Sequence, residues 1–347
     1  MRVLHDRYTI HPRLPFAIAR GTTTVYDRVR VRLQDDAGVE GWGEAAPNAY
    51  YKESADSVIA ALPRLERVVA RRPSVSRLED IDVLEEWMRA ENRGDASARA
   101  AVSAAAHDLL GKKLGKPVWE LFGLDPASAP PSSFTISISS DAGELLQRVE
   151  GARNYPILKV KLGTDHDEWI VRMVRRAAPT KILRVDANAA WDVKKTLAMA
   201  SFLAKQGVEL IEQPLAPDDL QGFREVFQQS PIPIIADESC LTASDLPKLD
   251  GAAHGINIKL SKCGGLAEAR RMALDGKRRG MRVMLGCMIE SSLGITAAAH
   301  LAALADYADL DGAALLSDDP FVGASIDDGM IRLSDKPGLG VSSRAPH

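Results

Sequence analysis

Short apolar runs that each end in a charged residue recur at nearly constant spacing through the second half of the chain. They are ILKVKLG around Lys159 and Lys161, ILRVDAN at Asp186, VELIEQP at Glu212, IPIIADES at Asp237 and INIKLSK at Lys259. From Lys161 onward the steps are 25, 26, 25 and 22 residues. Unbroken Val, Ile and Leu is the pattern of a parallel strand buried on both faces. A step of that length holds one strand, one helix and two short loops, the content of a βα unit. FTISI (134–138) precedes the ladder, RVMLG (282–286) follows it and YADLD (307–311) closes it, so eight strands are expected. Helical patterns fill 142–153, 165–178, 192–206, 242–250, 265–279 and 294–305. The prediction is an α/β fold, a (β/α)8 TIM-type barrel whose strand ends open on one catalytic face. The rival is an open doubly wound sheet, which usually carries a Gly-rich first turn. No G-x-G-x-x-G follows a strand here.

The first third has a different rhythm. DRVRVRLQDDAGVEGWGEAAP alternates apolar and polar residues and breaks at Asp36–Gly38, as a hairpin does. SADSVIAALPRLERVVA, LEDIDVLEEWMRA and the Ala-rich ASARAAVSAAAHDLLGKKLG then read as helices within 54–116, and the Gly115–Pro117 break ends the last. A sheet followed by helices is an α+β layer separate from barrel repeats. The expected organisation is an N-terminal α+β capping domain (1–116), a barrel domain (117–320) and a C-terminal segment (321–347) that returns to the cap.

Composition then excludes partners. A chain of 347 residues, 46% apolar, has ample core for this plan. A net charge of −3 gives no footprint for nucleic acid or an anionic membrane. No apolar run approaches the length of a membrane span, and MRVLHDRYTIHPRLPF lacks a signal-peptide core. Cys240, Cys263 and Cys287 are an odd, unpatterned set suited to a reducing compartment. A cytoplasmic protein is expected.

The ladder also carries the chemistry. Asp186, Glu212 and Asp237 at three adjacent strand ends converge three oxygen ligands on one point. Such hard ligands suit Mg²⁺, or Mn²⁺ in its place. The seven histidines form no H-x-H or H-E-x-x-H for zinc. A lone Asp is more often a solvated strand end or helix N-cap, but three in the contexts DAN, EQP and DES argue for a metal centre. Lys161 and Lys259 flank the triad and face one another across an eight-strand mouth. One base on each side of a carbon can remove a proton from one face and return one to the other. A carboxylate substrate on Mg²⁺ would have its α-proton acidified and pass through an ene-diolate. The base must be neutral, so desolvation or a neighbouring cation must lower its pKa; Lys159, inward on the same strand face, supplies such a cation. Asp309-Leu310-Asp311 places two carboxylates at the eighth strand's end, a cation site opposite the metal pole, although Asp311-Gly312 is also a turn dipeptide.

Together these motifs resemble the enolase superfamily, its muconate-lactonising subgroup, and within it the dipeptide epimerases that act on L-Ala-D/L-Glu. The marks are PFAIARGTTT (15–24), GWGEAAP (41–47), K-V-K, DAN, EQP, ADES, NIKLSKCGG (257–265), MLGCMIESSLGI (284–295) and ADLDG (308–312), which span essentially the whole chain. The resemblance implies Mg²⁺ on Asp186, Glu212 and Asp237, with Lys161 and Lys259 as acid/base catalysts. It implies Lys159 against the substrate carboxylate and Asp309 and Asp311 as the receptors of a dipeptide's ammonium. Arg20, on a loop closing over the mouth, and Met288 complete the implied substrate-binding set. The implied role is in murein-peptide recycling, with a small-molecule dipeptide as partner and a homo-oligomer left open. An N-acylamino acid racemase, o-succinylbenzoate synthase or cycloisomerase would share the metal and lysines but has no use for the Asp309/Asp311 site. A Schiff-base aldolase on Lys259 would not need three metal carboxylates, and a non-catalytic barrel would not keep all five positions filled.

Weaker features remain. Glu44, Tyr50 and Tyr51 could shape the pocket. Lys262 rivals Lys259, but strand alternation turns it away. His107 reads as helix packing. Gly264-Gly265 reads as an anion-binding turn or a plain connector.

Overall fold

The computed structural model describes residues 1–71 and 75–344; residues 72–74, inside the expected helical region, and 345–347, at the end of the expected C-terminal segment, lie outside it. Eight parallel strands run in sequence order around one sheet. They are Phe134–Ile136, Ile157–Lys161, Ile182–Asp186, Val208–Glu212, Ile234–Ala236, Gly255–Ile258, Arg282–Gly286 and Tyr307–Asp309. A parallel bridge between Ser132 and Ala308, with Ser133 N donating to Ala308 O at 3.0 Å, joins the two ends, so the sheet curls into the predicted barrel. Alternation sorts the side chains. Leu158 and Val160 face outward into the helix-packed core, whereas Lys159 and Lys161 point inward. Deeper in the barrel Leu210, Ile235 and Met284 form a separate apolar layer that closes it below the mouth.

The expected helices are present with shifted ends, and besides the single turns Val118–Leu121 and Leu260–Cys263 one longer helix was not foreseen. Leu220–Gln229 fills the third step of the ladder with only Gly222, Phe223 and Val226 buried, too sparse a stripe for its period to stand out. The stretches 242–250 and 294–305 are each split. A 3-10 turn, Ala243–Asp245, precedes a single helical turn, Leu246–Leu249, and the helix Ser292–Ala299 is followed by a 3-10 turn, Ala302–Leu304.

The N-terminal layer is an antiparallel sheet of Arg2–Ile10, Tyr26–Gln34 and Glu40–Ala45, packed on helices Ala55–Ala70, Leu78–Glu91 and Ala96–Leu114. The Ala-rich composition of the last helix and the glycines of GWGEA have one cause. A Cβ on Gly41 would lie 2.0 Å from Ala105 O, and one on Gly43 2.1 Å from Ala101 O. Helix and strand therefore meet backbone to backbone, a distance that only small residues allow. The chain's end comes back to this helix: Val118 N donates to Gly338 O at 2.9 Å, and Leu339 N donates to Asp108 Oδ1 at 2.7 Å. Among the described residues no helix is long and apolar enough to cross a membrane.

Candidate active site

One cavity of about 560 Å³ at the C-terminal ends of the strands is lined by Arg20, Lys159, Lys161, Lys259, Met288, Asp309 and Asp311 together. Residues as far apart in sequence as Lys161 and Asp309 thus meet because parallel strands deliver every end to the same face. Asp186, Glu212 and Asp237 lie just beneath, each 0–1% exposed, with ligand oxygens all within 4.8 Å of one another.

Second contacts hold each of these acids in place. Asn188 N donates to Asp186 Oδ1 at 2.8 Å and its Nδ2 to Oδ2 at 3.2 Å. Asn257 Nδ2 donates to Glu212 Oε1 at 2.8 Å. Gln213 Oε1 accepts from Asp237 N at 2.8 Å and so ties the fourth strand's end to the fifth. Asn188, Ala189 and Gln213 all have positive φ, 46°, 63° and 34°, a costly conformation for residues with a side chain and one that clusters at functional sites.

The site fits a divalent cation on its own chemistry. Among the described residues, every buried side-chain oxygen without a hydrogen-bond donor lies here: Glu212 Oε2, Asn188 Oδ1, Asn257 Oδ1 and Glu238 Oε2. Lys159 Nζ sits 2.6 Å from Glu212 Oε2, but as an ion pair rather than an aligned hydrogen bond. Orphaned buried acceptors are rare in folded proteins, and a group of four around three carboxylates calls for a positive guest.

The lysines are already partnered. Lys161 Nζ is 2.6 Å from Asp186 Oδ2 and Lys259 Nζ 2.8 Å from Asp237 Oδ2, on strands four apart and so on opposite sides of the mouth. Lys159, 0% exposed, pairs with Glu212 and with Asp309 Oδ2 at 2.6 Å. At Lys259 the electrostatics differ from the expectation of a lowered lysine. Burial would lower Lys259, but Asp237 and Glu212 outweigh it and hold the ammonium above its usual range. Burial likewise opposes Asp309, Glu212 and Asp186 at Lys159, and again the acids win. Among the carboxyls, burial would raise Asp186 and Asp237, yet Lys161 and Lys159 bring the first down, and Lys259 and Lys262 bring down the second. Glu212 is raised by burial and by Asp186. A cation on the triad would consume the negative charge that holds Lys259 and Lys159 protonated.

Asp309 does not stand opposite the triad as expected: it accepts from Ser133 Oγ at 2.6 Å and shares the Lys159 ammonium with Glu212, one ion pair away from the acids. Asp311 accepts from Thr135 N at 2.6 Å and has no lysine partner; burial and Asp309 push its pKa up to about 7.

Arg20 does stand over the mouth, and Tyr50 lines the same cavity. Glu44 lies behind the wall. It accepts from Ser291 N at 3.1 Å and from the Tyr8 and Ser291 hydroxyls, and with Arg28 Nε donating to Ile289 O at 2.9 Å it fixes the loop that carries Met288. His107 is packed, with Nδ1 2.8 Å from Ser103 O. Two readings need correction. Lys262 does not turn away: it begins no strand but sits in the turn Leu260–Cys263, and its ammonium binds the Asp237 carboxylate and Asp237 O at 2.6 Å. The Gly264-Gly265 turn holds no free anion site, because Glu85 already accepts from Ala267 N and Glu268 N, each at 3.0 Å. Sequence reasoning missed Asn188, Gln213, Asn257 and Glu238. Asn257 alone carried a signal, standing two residues before Lys259 on the same strand face.

A mouth with this triad, these lysines and this cap defines a class. Residues 1–123 match the mandelate racemase / muconate lactonizing enzyme N-terminal domain, and residues 141–346 match the enolase C-terminal domain-like family. The chain belongs to this family of the enolase superfamily, as its motifs implied. Within it, the chain is 39% identical over 343 residues to an L-Ala-D/L-amino acid epimerase of a Maribacter species, covering 99% of both chains. It superposes on the substrate-liganded L-Ala-D/L-Glu epimerase from Bacillus subtilis with a TM-score of 0.92 at 30% identity, covering 100% of this chain and 99% of that one. A dipeptide epimerase from Enterococcus faecalis, complexed with Mg and L-Leu-L-Tyr, gives a TM-score of 0.90 at 32% identity, covering 98% and 99%.

Proposed function

We propose that the chain is a dipeptide epimerase that inverts the α-carbon of the C-terminal residue, with L-Ala-L-Glu and its D-Glu epimer as the leading pair, in murein-peptide metabolism. The observation that carries this reading is the shared cavity: two opposed lysines and a second acid pair, Asp309 and Asp311, line it, with a cation-ready acid triad just beneath. A zwitterionic dipeptide spans such a site. Its ammonium meets Asp311 and Asp309, and its carboxylate meets the pole of Lys159 and the triad. Fixing both ends holds the α-carbon between Lys161 and Lys259, so that binding is converted into reaction geometry. One lysine, neutral, takes the α-proton from its face; the other, as ammonium, returns a proton to the opposite face. Asp186, Glu212 and Asp237 would hold Mg²⁺, with Mn²⁺ able to replace it, and the metal would supply Lewis-acid stabilisation of the charge that grows on the substrate carboxylate.

The test is inversion in D₂O. L-Ala-L-Glu should gain deuterium at the inverted α-carbon in the presence of Mg²⁺, excess chelator should stop the reaction, and the N-acetylated dipeptide should be inert. Faster turnover of N-acylated amino acids or lactones than of every dipeptide would leave the family and remove the epimerase reading.

A further inference from the structure

The hairpin over the mouth meets the barrel through a guanidinium. Arg20 stands at its tip, between strands Phe16–Ile18 and Gly21–Thr23. Its Nη1 donates to Asn188 O at 2.9 Å and to Glu238 Oε1 at 2.8 Å, and the guanidinium lies 4.3 Å from the centre of the Tyr50 ring. Both Nη1 hydrogens are thereby used, while Nε and Nη2 have no hydrogen-bond partner among the described residues. That free edge is a fork that can grip a carboxylate with two parallel bonds. Glu238 stands behind it. Its side chain is 1% exposed, its Oε2 has no donor, and it does not line the cavity.

We propose that Glu238 is a positioning residue that sets side-chain specificity through Arg20: it aims the free guanidinium edge at the cavity while its charge moderates the attraction of that edge for an acidic side chain. The inference rests on the dipeptide reading above. An entering carboxylate meets the attraction of Arg20 and the repulsion of Glu238 at once, with little water to screen either. A neutral amide of the same shape meets only the positioning. Glu238 therefore leaves room for substrates with uncharged side chains that an isolated guanidinium would disfavour.

L-Ala-L-Glu and L-Ala-L-Gln separate charge from size. Glu238→Gln keeps an oxygen for Nη1 and removes the charge, so the Glu-over-Gln ratio of kcat/KM should rise about tenfold, mainly through KM. Damage to the adjacent Asp237 would slow both substrates alike and cancel in the ratio. Glu238→Asp draws the charge back by one methylene and should raise the ratio less, about threefold; it serves as the test should Glu238→Gln fail to fold. A ratio that stays within about twofold or falls in the single variants overturns the proposal. If the unmodified protein inverts neither dipeptide, the epimerase reading fails and takes this inference with it. An unchanged ratio with both dipeptides inverted overturns this inference alone.

Discussion

The barrel face and the layer that covers it hold their functional groups by different means. On the barrel, Lys159, Asp186, Glu212 and Asp237 are all but fully buried at strand ends, and each has more than one polar contact to fix it. On the cover, Arg20 is 32% exposed at a hairpin tip and is anchored through a single nitrogen. The barrel groups cannot move without breaking the sheet that carries them, so they suit bond-making, where small displacements are costly. The hairpin lies outside the barrel strands and meets their ends through the contacts of Arg20 with Asn188 O and Glu238, so a change there leaves the barrel's own bonds in place and suits the choice of side chain. On this contrast, substitutions on the barrel should remove the reaction, and substitutions on the cover should redistribute it among substrates.

The sharpest way to break the contrast lies in the two opposed lysines. Lys161→Ala and Lys259→Ala should each lower net epimerisation by about 10³-fold or more, as the loss of a positioned acid/base does. Each should do so for every dipeptide alike, with folding and cation binding measured separately. One variant should still exchange the α-proton of one epimer with D₂O, because the surviving lysine serves its own face. Normal epimerisation by Lys259→Ala would remove it from the chemistry.

The acid pole comes next. Asp311 has no lysine to neutralise it, and Asn in its place keeps the shape and the bond to Thr135 N but not the charge. A charge-assisted hydrogen bond of this kind is worth about 2–3 kcal/mol, so Asp311→Asn should cost roughly a hundredfold in kcat/KM for dipeptides. Asp309→Asn has a second consequence, since it also leaves Lys159 with one fewer counter-charge. An unchanged kcat/KM in both variants would take the ammonium site elsewhere.

The seam between the two regions makes a smaller, acid-sensitive prediction. His300 accepts from Trp119 N through Nδ1 at 3.1 Å and lies 3.2 Å from Leu339 O through Nε2, so the neutral ring fits with one donor and one acceptor. Burial pulls His300 and His107 down to about 4. The folded pKa is below the unfolded one, so the unfolded chain takes up protons first. The stability these rings contribute is full above about pH 6.5 and falls as the pH drops toward 4. At pH 5 the loss is about 2 kcal/mol for each ring. Glu85 and Glu290, raised to about 7 chiefly by burial, act in the opposite sense and gain as the pH falls. The measurement is therefore a difference: denaturation midpoints at pH 7 and 5 for the unmodified protein and for His300→Gln, whose amide can both donate and accept. The variant should lose less on acidification; equal losses would mean that His300 titrates normally.

Legibility followed the same division. The strand ends repeat because a βα unit has a fixed length, so Lys161, Asp186, Glu212, Asp237 and Lys259 could be read from spacing alone, and the barrel with them. The helix Leu220–Gln229 escaped because its buried stripe is short. Asn188 and Gln213 escaped because their work depends on positive φ, which no pattern of apolar residues encodes. Lys262 was misread because the chain leaves the strand at Lys259 and turns at once, so alternation no longer applies. Glu85 could not be foreseen as the occupant of the Gly265 turn, since Leu78–Glu91 and Leu266–Arg278 meet only in the folded molecule. Contacts between distant segments have no local period, and the cover is built mostly of such contacts.

The smallest expected effect tests the cover itself. Arg20→Met would strip Glu238 of its partner and leave a buried charge alone, a disturbance large enough to reach every substrate. Arg20→Lys avoids this. An ammonium can still meet Glu238 Oε1, but it offers a point charge in place of the planar fork, so the two parallel bonds to a side-chain carboxylate are lost. The expected cost is about 1.4 kcal/mol, a tenfold fall in kcat/KM for L-Ala-L-Glu, with L-Ala-L-Gln held within about twofold. kcat should be nearly constant, because the lysines and the acid triad are untouched, and the change should sit in KM. If kcat collapsed for both dipeptides instead, the hairpin would be holding the barrel face in shape, and the division between a fixed chemical face and an adjustable cover would not describe this molecule.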